Sequence, residues 1–361
     1  MRRFLYIILF AVIIISCNNQ KQVVVDDDVI YLPLKRPEKT GSLKVNRTAF
    51  HIDTISLESS AESMVSLIKD IRIADSILFV QNGVVITLFS YDGSFIRNVG
   101  HIGRGPGEYL NLCHFDICPD KEQIYILDDM GRKIMVYSYT GEMKRVIKYD
   151  GYPMDFAVLP DGEILYYYPR YNNGSIARGL WRADSDGVLR DHLVGIDPEF
   201  AHVVILDHYL VHINPETVGF MGLEDKDEFY HITRDTLYRS YRMMTDYTMS
   251  KSVLRSEESP KTPLTSYIKN GYLETDSLFI FTLSDSKSIK VRSILRKTDN
   301  ELFRVYMRNM MDVLSDPFPS FEFSYNGYMI ATIDKDLINS VLSGNGGTDA
   351  VNPMLLIMSA N

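Results

Sequence analysis

The stretch Ser76-Ile77-Leu78-Phe79-Val80, a short turn, then Val85-Ile86-Thr87-Leu88-Phe89-Ser90-Tyr91-Asp92-Gly93 and Phe95-Ile96-Arg97-Asn98-Val99-Gly100 decides the fold, because it recurs. Residues 123–148 repeat it as Gln123-Ile124-Tyr125-Ile126-Leu127-Asp128, a turn at Met130-Gly131, Ile134-Met135-Val136-Tyr137-Ser138-Tyr139-Thr140-Gly141, then Met143 to Ile147. A third copy opens at Gly162-Glu163-Ile164-Leu165 and closes through Trp181-Arg182-Ala183-Asp184-Ser185-Asp186-Gly187-Val188-Leu189. The turn glycines Gly93, Gly141 and Gly187 stand 48 and 46 residues apart. Each unit is rich in β-branched and aromatic residues broken by glycine turns, which reads as short strands. A period of 40–50 residues built from short strands is that of propeller blades. The glycines are needed because a tight Asp-Gly or Thr-Gly turn between strands demands positive φ.

Later units are less regular. Residues 208–241 and 272–307 each carry three apolar runs, and Gly327-Tyr328-Met329-Ile330-Ala331 begins a last unit that Leu43 to Leu57 completes. The span 43–361 at this period holds six or seven units, and insertions such as 244–266 favour six. The expectation is therefore an all-β, six-bladed β-propeller with four-stranded antiparallel blades over residues 43–361. Residues 17–42 are expected to form a tether, at most about 85 Å long if fully extended.

The blades resemble NHL-type propellers rather than WD40 ones, since Trp181 is the only tryptophan and Arg182 follows it. His101-Ile102-Gly103-Arg104-Gly105-Pro106-Gly107-Glu108-Tyr109 resembles the Gly-x-Gly-Pro-Gly-Glu-Tyr signature of six-bladed propeller lipoproteins of Bacteroidetes-type bacteria, and residues 267–279 are similar to a later blade of that family. The resemblance implies fold and location; no common chemistry comes with it.

The N-terminus agrees. Met1-Arg2-Arg3 precedes the uncharged run Phe4–Ile15, the n-region and h-region of a signal peptide over residues 1–16. The run is shorter than the roughly 17–25 residues that span a bilayer. Ile14-Ile15-Ser16-Cys17 resembles a lipobox, with Ile14 where leucine is usual, and implies lipidation of Cys17; an ordinary signal peptide cut elsewhere is the alternative. Acyl chains contributing about 0.8 kcal/mol per buried methylene would hold the chain on a membrane. Asn18, not aspartate, follows the cysteine, which by the same resemblance implies the outer membrane. Asp26-Asp27-Asp28 reads either as an acidic export tag of surface lipoproteins or as a solvated tether, so either membrane face stays open.

The net charge of −9 becomes −11 once Arg2 and Arg3 are removed with the signal peptide, and no basic cluster is present. That excludes the electrostatic footprint of a nucleic-acid partner. Cys113 and Cys118 lie about 17 Å apart if extended, too far for a disulfide, and are expected as free thiols. No Gly-x-Ser-x-Gly, His-Glu-x-x-His or Cys-x-x-Cys occurs, so the sequence names no catalytic residue, no metal ligand and no cofactor. His208 and His212, four apart on a strand, stand about 13 Å apart and are not expected to share a metal. The run Glu224-Asp225-Lys226-Asp227-Glu228 lacks calcium-loop spacing and reads as a solvated turn. Tyr166-Tyr167-Tyr168 and Tyr171 read as packing between blades or as a platform for sugars; alternation sends Tyr167 opposite to its neighbours.

The candidate ligand or blade-crossover loop is Gly103–Tyr109, with Arg104, Glu108 and Tyr109 as its site residues. Arg104 could grip a carboxylate or phosphate; alternatively the glycines shape a crossover while Glu108 and Tyr109 tie down backbone. The function expected is a non-enzymatic binding or scaffold module on the outer membrane, its partner a peptide, a glycan or an envelope protein. The rival is an NHL-like propeller enzyme of the metal-dependent lactonase or lyase type.

Overall fold

A computed structural model describes residues 29–33, 50–170, 176–196, 208–222, 228–244, 267–284, 290–307, 321–333 and 352–360. The proposed signal peptide, Cys17, Tyr171 and, of the insertion at 244–266, all but Met244, which ends a strand, lie outside the described residues. Two strands precede the repeats, β1 (Ile30–Pro33) and β2 (Phe50–Ser56). Blade 1 is β3 (Ile68–Ala74), β4 (Ile77–Asn82), β5 (Val85–Ser90) and β6 (Phe95–Val99); blade 2 is β7 (His114–Cys118), β8 (Gln123–Asp128), β9 (Lys133–Ser138) and β10 (Met143–Lys148). Blade 3 is β11 (Asp155–Val158), β12 (Ile164–Tyr168), β13 (Gly179–Ala183) and β14 (Leu189–Gly195). Blade 4 is β15 (Leu210–Asn214), β16 (Thr217–Gly222), β17 (Glu228–Ile232) and β18 (Leu237–Met244); blade 5 is β19 (Tyr267–Glu274), β20 (Leu278–Ser284), β21 (Lys290–Arg296) and β22 (Glu301–Met307). Blade 6 joins β23 (Phe323–Tyr325), β24 (Tyr328–Ile333) and β25 (Met354–Ala360) to the N-terminal β2, which pairs antiparallel with β25 and closes the ring. The chain is a six-bladed, all-β propeller of four-stranded antiparallel blades.

Two features differ from the sequence reading. Within the stretch read as a tether, Ile30–Pro33 pair in parallel with Tyr241–Met244 and give blade 4 a fifth, outermost strand. The acidic run does not end as a solvated turn. Glu228 starts β17, is buried, and accepts the Tyr230 hydroxyl at 2.6 Å while pairing with Arg239 at 3.1 Å; residues 223–227 lie outside the described residues.

Alternation along each strand builds the core, because a middle strand faces a neighbouring blade on both sides. On β4, Leu78 and Val80 pack toward blade 6 while Phe79 packs toward blade 2. On β8, Ile124 and Ile126 turn to blade 1, and Tyr125 and Leu127 to blade 3. The tyrosine run follows suit: Tyr166 and Tyr168 fill the gap to blade 2, Tyr167 the gap to blade 4, and all three are fully buried. Each large side chain sealed this way contributes about 1.5–3 kcal/mol. Cys118 is buried and Cys113 half-buried, both free thiols; burial raises Cys113 to about 12 and Cys118 to about 11.

The turn glycines read from the sequence are equivalent in the fold. Gly93, Gly141 and Gly187 have φ of 91°, 85° and 83°, and each donates its N–H to the carbonyl three residues earlier. Gly93 also abuts the closing strand, where a methyl group would strike the Ser56 carbonyl; Gly83, at φ 60°, has open space around it. Gly93→Ala should therefore cost about 2 kcal/mol or more, and Gly83→Ala only the conformational part, about 1 kcal/mol. Equal losses in urea denaturation would show that the contact with Ser56 contributes nothing.

Candidate functional site

Each inner strand starts at the same end of the propeller, so residues near those starts meet around the axis. Four inner strands carry charged or imidazole groups there, in two layers. In the deeper layer, Arg72 of β3 donates from Nε to Asp116 Oδ1 at 3.2 Å and from Nη1 to Asp70 Oδ1 at 2.5 Å. Asp116 of β7 accepts on Oδ2 from His212 Nε2 of β15 at 2.7 Å and from the backbone N–H of Val158 in β11 at 2.7 Å. The Arg72 guanidinium lies 5.1 Å from the Tyr325 ring centroid and 5.3 Å from that of Phe115. Blade 6 reaches across the axis to blade 4, where Asn326 donates its N–H to the His212 carbonyl at 2.9 Å.

This layer seals the axis, because Asp70, Arg72, Asp116, His212 and Tyr325 are all buried. Burial opposes the charge on Arg72, yet Asp70 and Asp116 outweigh it and its pKa stands above the ordinary value. Burial likewise opposes ionisation of Asp116, but His212 and Arg72 hold its carboxyl below the usual carboxylate range. A low-dielectric surround makes such paired groups strong and such orphaned groups costly.

The shallower layer is different in kind. His114 opens β7, Asp155 opens β11 and His208 precedes β15 by two residues; one ligand-type atom from each lies within 4.8 Å of the others. The rings of His114 and His208 meet edge to face at 5.2 Å. Asp155 accepts N–H groups from Phe156 at 2.8 Å, Tyr209 at 2.7 Å and Leu210 at 3.0 Å, which fixes its carboxylate. His208 Nε2 stands 3.5 Å from Asp70 Oδ2. Desolvation lowers the His208 pKa, so its ring is neutral at neutral pH. His212 bonds Asp116, while His208 lies with groups from other blades.

The loop read as a candidate site lies between β6 and β7. Tyr109 is fully buried and donates its hydroxyl to the Val84 carbonyl at 2.7 Å. Glu108 turns back into the loop, accepting from Gly105 N–H at 2.6 Å and His101 Nε2 at 2.7 Å; these two contacts, the Gly105 one foremost, hold its carboxyl below the usual range. At Gly103 a Cβ would collide with that carboxylate. Buried Asp128 then clamps the next turn, accepting N–H groups from Leu110 at 3.0 Å, Asn111 at 3.1 Å and Gly131 at 2.8 Å. Arg104 is exposed, and it is its backbone N–H that meets the Glu108 carboxylate. Sequence reasoning looked for locally spaced ligands, weighed His208 only against His212, and passed over His114 and Asp155. The signal that could have found them is a charged or imidazole residue at the entry of an inner strand, as His114 and Asp155 open β7 and β11.

Among solved structures, an exported protein of Bacteroides fragilis NCTC 9343 superposes with a TM-score of 0.68 at 14% identity, over 92% of this chain and 99% of that one. A member of the DUF4221 family from Bacteroides vulgatus ATCC 8482 superposes with a TM-score of 0.51 at 10% identity, over 87% of this chain and 99% of that one. At such identities the likeness speaks for the fold alone. No curated protein matches the chain. The family described as a domain of unknown function, DUF4934, matches residues 29–356, and this chain belongs to it.

Proposed function

We propose that the protein is an exported, non-enzymatic binding module, held on the outer membrane through Cys17, that docks an envelope protein on one face of blades 1 to 3. The observation that carries the reading is an apolar surface at the end where the inner strands start. Leu67 precedes β3, Val84 turns between β4 and β5, and Ile102 and Leu110 lie on the crossover to β7. Met130 turns between β8 and β9, 70% exposed, and Tyr152 precedes β11, 55% exposed. Hydrogen bonds tie its blade 1 part together, from Gly83 N–H to the Leu67 carbonyl and from the Tyr109 hydroxyl to the Val84 carbonyl. The Arg132 guanidinium stacks 4.7 Å from the Tyr152 ring.

Aliphatic side chains and methionine beside a tyrosine–arginine pair suit a protein surface. A sugar would call for exposed aromatic platforms with hydrogen-bonding groups round them. β1 runs along the outer edge of blade 4, outside blades 1 to 3. The Bacteroides fragilis likeness, an exported protein, agrees with the envelope location.

The test is affinity capture of the full, lipidated chain from its native envelope beside the Val84→Asp/Met130→Asp variant. A stoichiometric partner held by the parent and lost at least 10-fold by the variant, with an unchanged melting temperature, is the expected result. A partner retained by the variant, a captured glycan or peptide, or none at all would overturn it. In the same preparations Cys17→Ser should move the protein from the membrane to the soluble fraction. One observation favours the enzyme reading as an alternative: His114, Asp155 and His208 converge near the axis, and turnover lost on changing either histidine would establish it.

A further inference from the structure

The shallow axial layer contains more acceptor capacity than the protein itself satisfies. His208 Nδ1 is buried with no hydrogen-bond partner, and so is Oδ2 of Asp70, a residue only 2% exposed that stands beside the same ring. Buried polar atoms are almost always paired, so two orphans side by side call for a missing partner. Charge points the same way. Asp70 and Asp116 face the Arg72 guanidinium, and Asp116 also faces His212, whereas the hydrogen bonds to buried Asp155 come from backbone N–H groups. A buried carboxylate held without a cation beside it favours a bound cation.

We propose that His114, Asp155 and His208 bind one divalent transition-metal cation of the zinc type, bridging blades 2, 3 and 4. Two imidazoles and one carboxylate form a borderline N2O set, which suits zinc, cobalt or nickel and not the all-oxygen cages of calcium or magnesium. Asp155 has room for it: three backbone N–H groups use three of the roughly four lone-pair sites of a carboxylate, and two of those fall on Oδ2. Asp70 is placed to orient the His208 ring, as carboxylates do behind metal-bound imidazoles. Tetrahedral zinc with bonds of about 2.0–2.2 Å sets its donors about 3.4 Å apart. The three groups, within 4.8 Å of one another, reach that by small side-chain rotations.

The site differs from the apolar docking surface and stands or falls separately. The experiment uses the full chain, purified without a polyhistidine tag and stripped with chelator, titrated with Zn2+ and, in parallel, with Co2+. The expected result is one ion per chain, a melting temperature raised by zinc, and a visible cobalt band of tetrahedral type. His114→Gln and His208→Ala should each weaken zinc binding at least 100-fold and abolish the cobalt band. The readout is the zinc-dependent rise in melting temperature, because truncating the largely buried His208 ring beside His114 lowers the metal-free value by itself. No binding by the parent, affinity unchanged in both variants, or displacement of zinc by an equal concentration of Ca2+ would each overturn the assignment.

Discussion

Replacing Asp116 by alanine is expected to cost the protein about 3–5 kcal/mol, read as a lower midpoint in urea. The side chain is small, so the cavity left behind is a minor part. What dominates is the loss of one acceptor shared by three blades. Arg72 Nε, the Val158 N–H and His212 Nε2 all lose their partner where water does not reach. Arg72 keeps Asp70 and the ring faces of Phe115 and Tyr325, which sets the upper end of the range. The diagnostic is the second substitution. Arg72→Met in the same chain removes the stranded charge, so Asp116→Ala/Arg72→Met should be more stable than the sum of the two single losses by about 2 kcal/mol. Strict additivity would mean that the pair is not what joins the blades.

How this axis escaped the sequence reading has a physical cause. The repeat was legible where strands are sealed on both faces: Leu78–Phe79–Val80, Ile124–Tyr125–Ile126 and Tyr166–Tyr167–Tyr168 are apolar throughout, and the glycine turns beyond them mark the period. Those three are second strands; the third strands are sealed likewise, and the fourth ones are largely exposed. The inner strands Ile68–Ala74, His114–Cys118 and Asp155–Val158 carry Asp70, Arg72, Asp116 and Asp155 at buried positions, against the usual composition of strands and cores. An alternation rule reads such stretches as loop. Their partners come from other blades, 42 residues away for Val158 and 96 for His212, so no local spacing announces them. The crossover signature was legible as a motif but ambiguous in role. Glycines that admit a close carboxylate and glycines that admit a ligand look alike until Glu108 is seen folded back on Gly105.

The second buried acid with a large expected effect is Glu274, at the end of the inner strand of blade 5. Its Oε1 accepts His231 Nε2 at 2.9 Å, the Tyr241 hydroxyl at 2.9 Å and Lys297 Nζ at 2.7 Å, while its N–H donates to Ser324 Oγ of blade 6 at 3.1 Å. Burial favours the neutral acid, but His231 and Lys297 outweigh burial and hold the carboxyl below the usual carboxylate range. Burial, with Glu274 beside it, pushes the Tyr241 hydroxyl well above its ordinary value, so that tyrosine is a donor at any working pH. Glu274→Gln keeps the shape and removes the charge. The loss at pH 7 should be about 3 kcal/mol, the low end for breaking a buried pair, because Lys297 is 15% exposed and keeps some water. The sign of the pH effect follows from the depressed pKa. The contribution is complete above the unfolded value of about 4.3 and disappears as pH falls through the lower folded value. Wild type and Glu274→Gln should therefore differ by a constant amount above about pH 5 and converge below about pH 4. A gap that persists undiminished at pH 2.5 would place the effect in packing rather than charge.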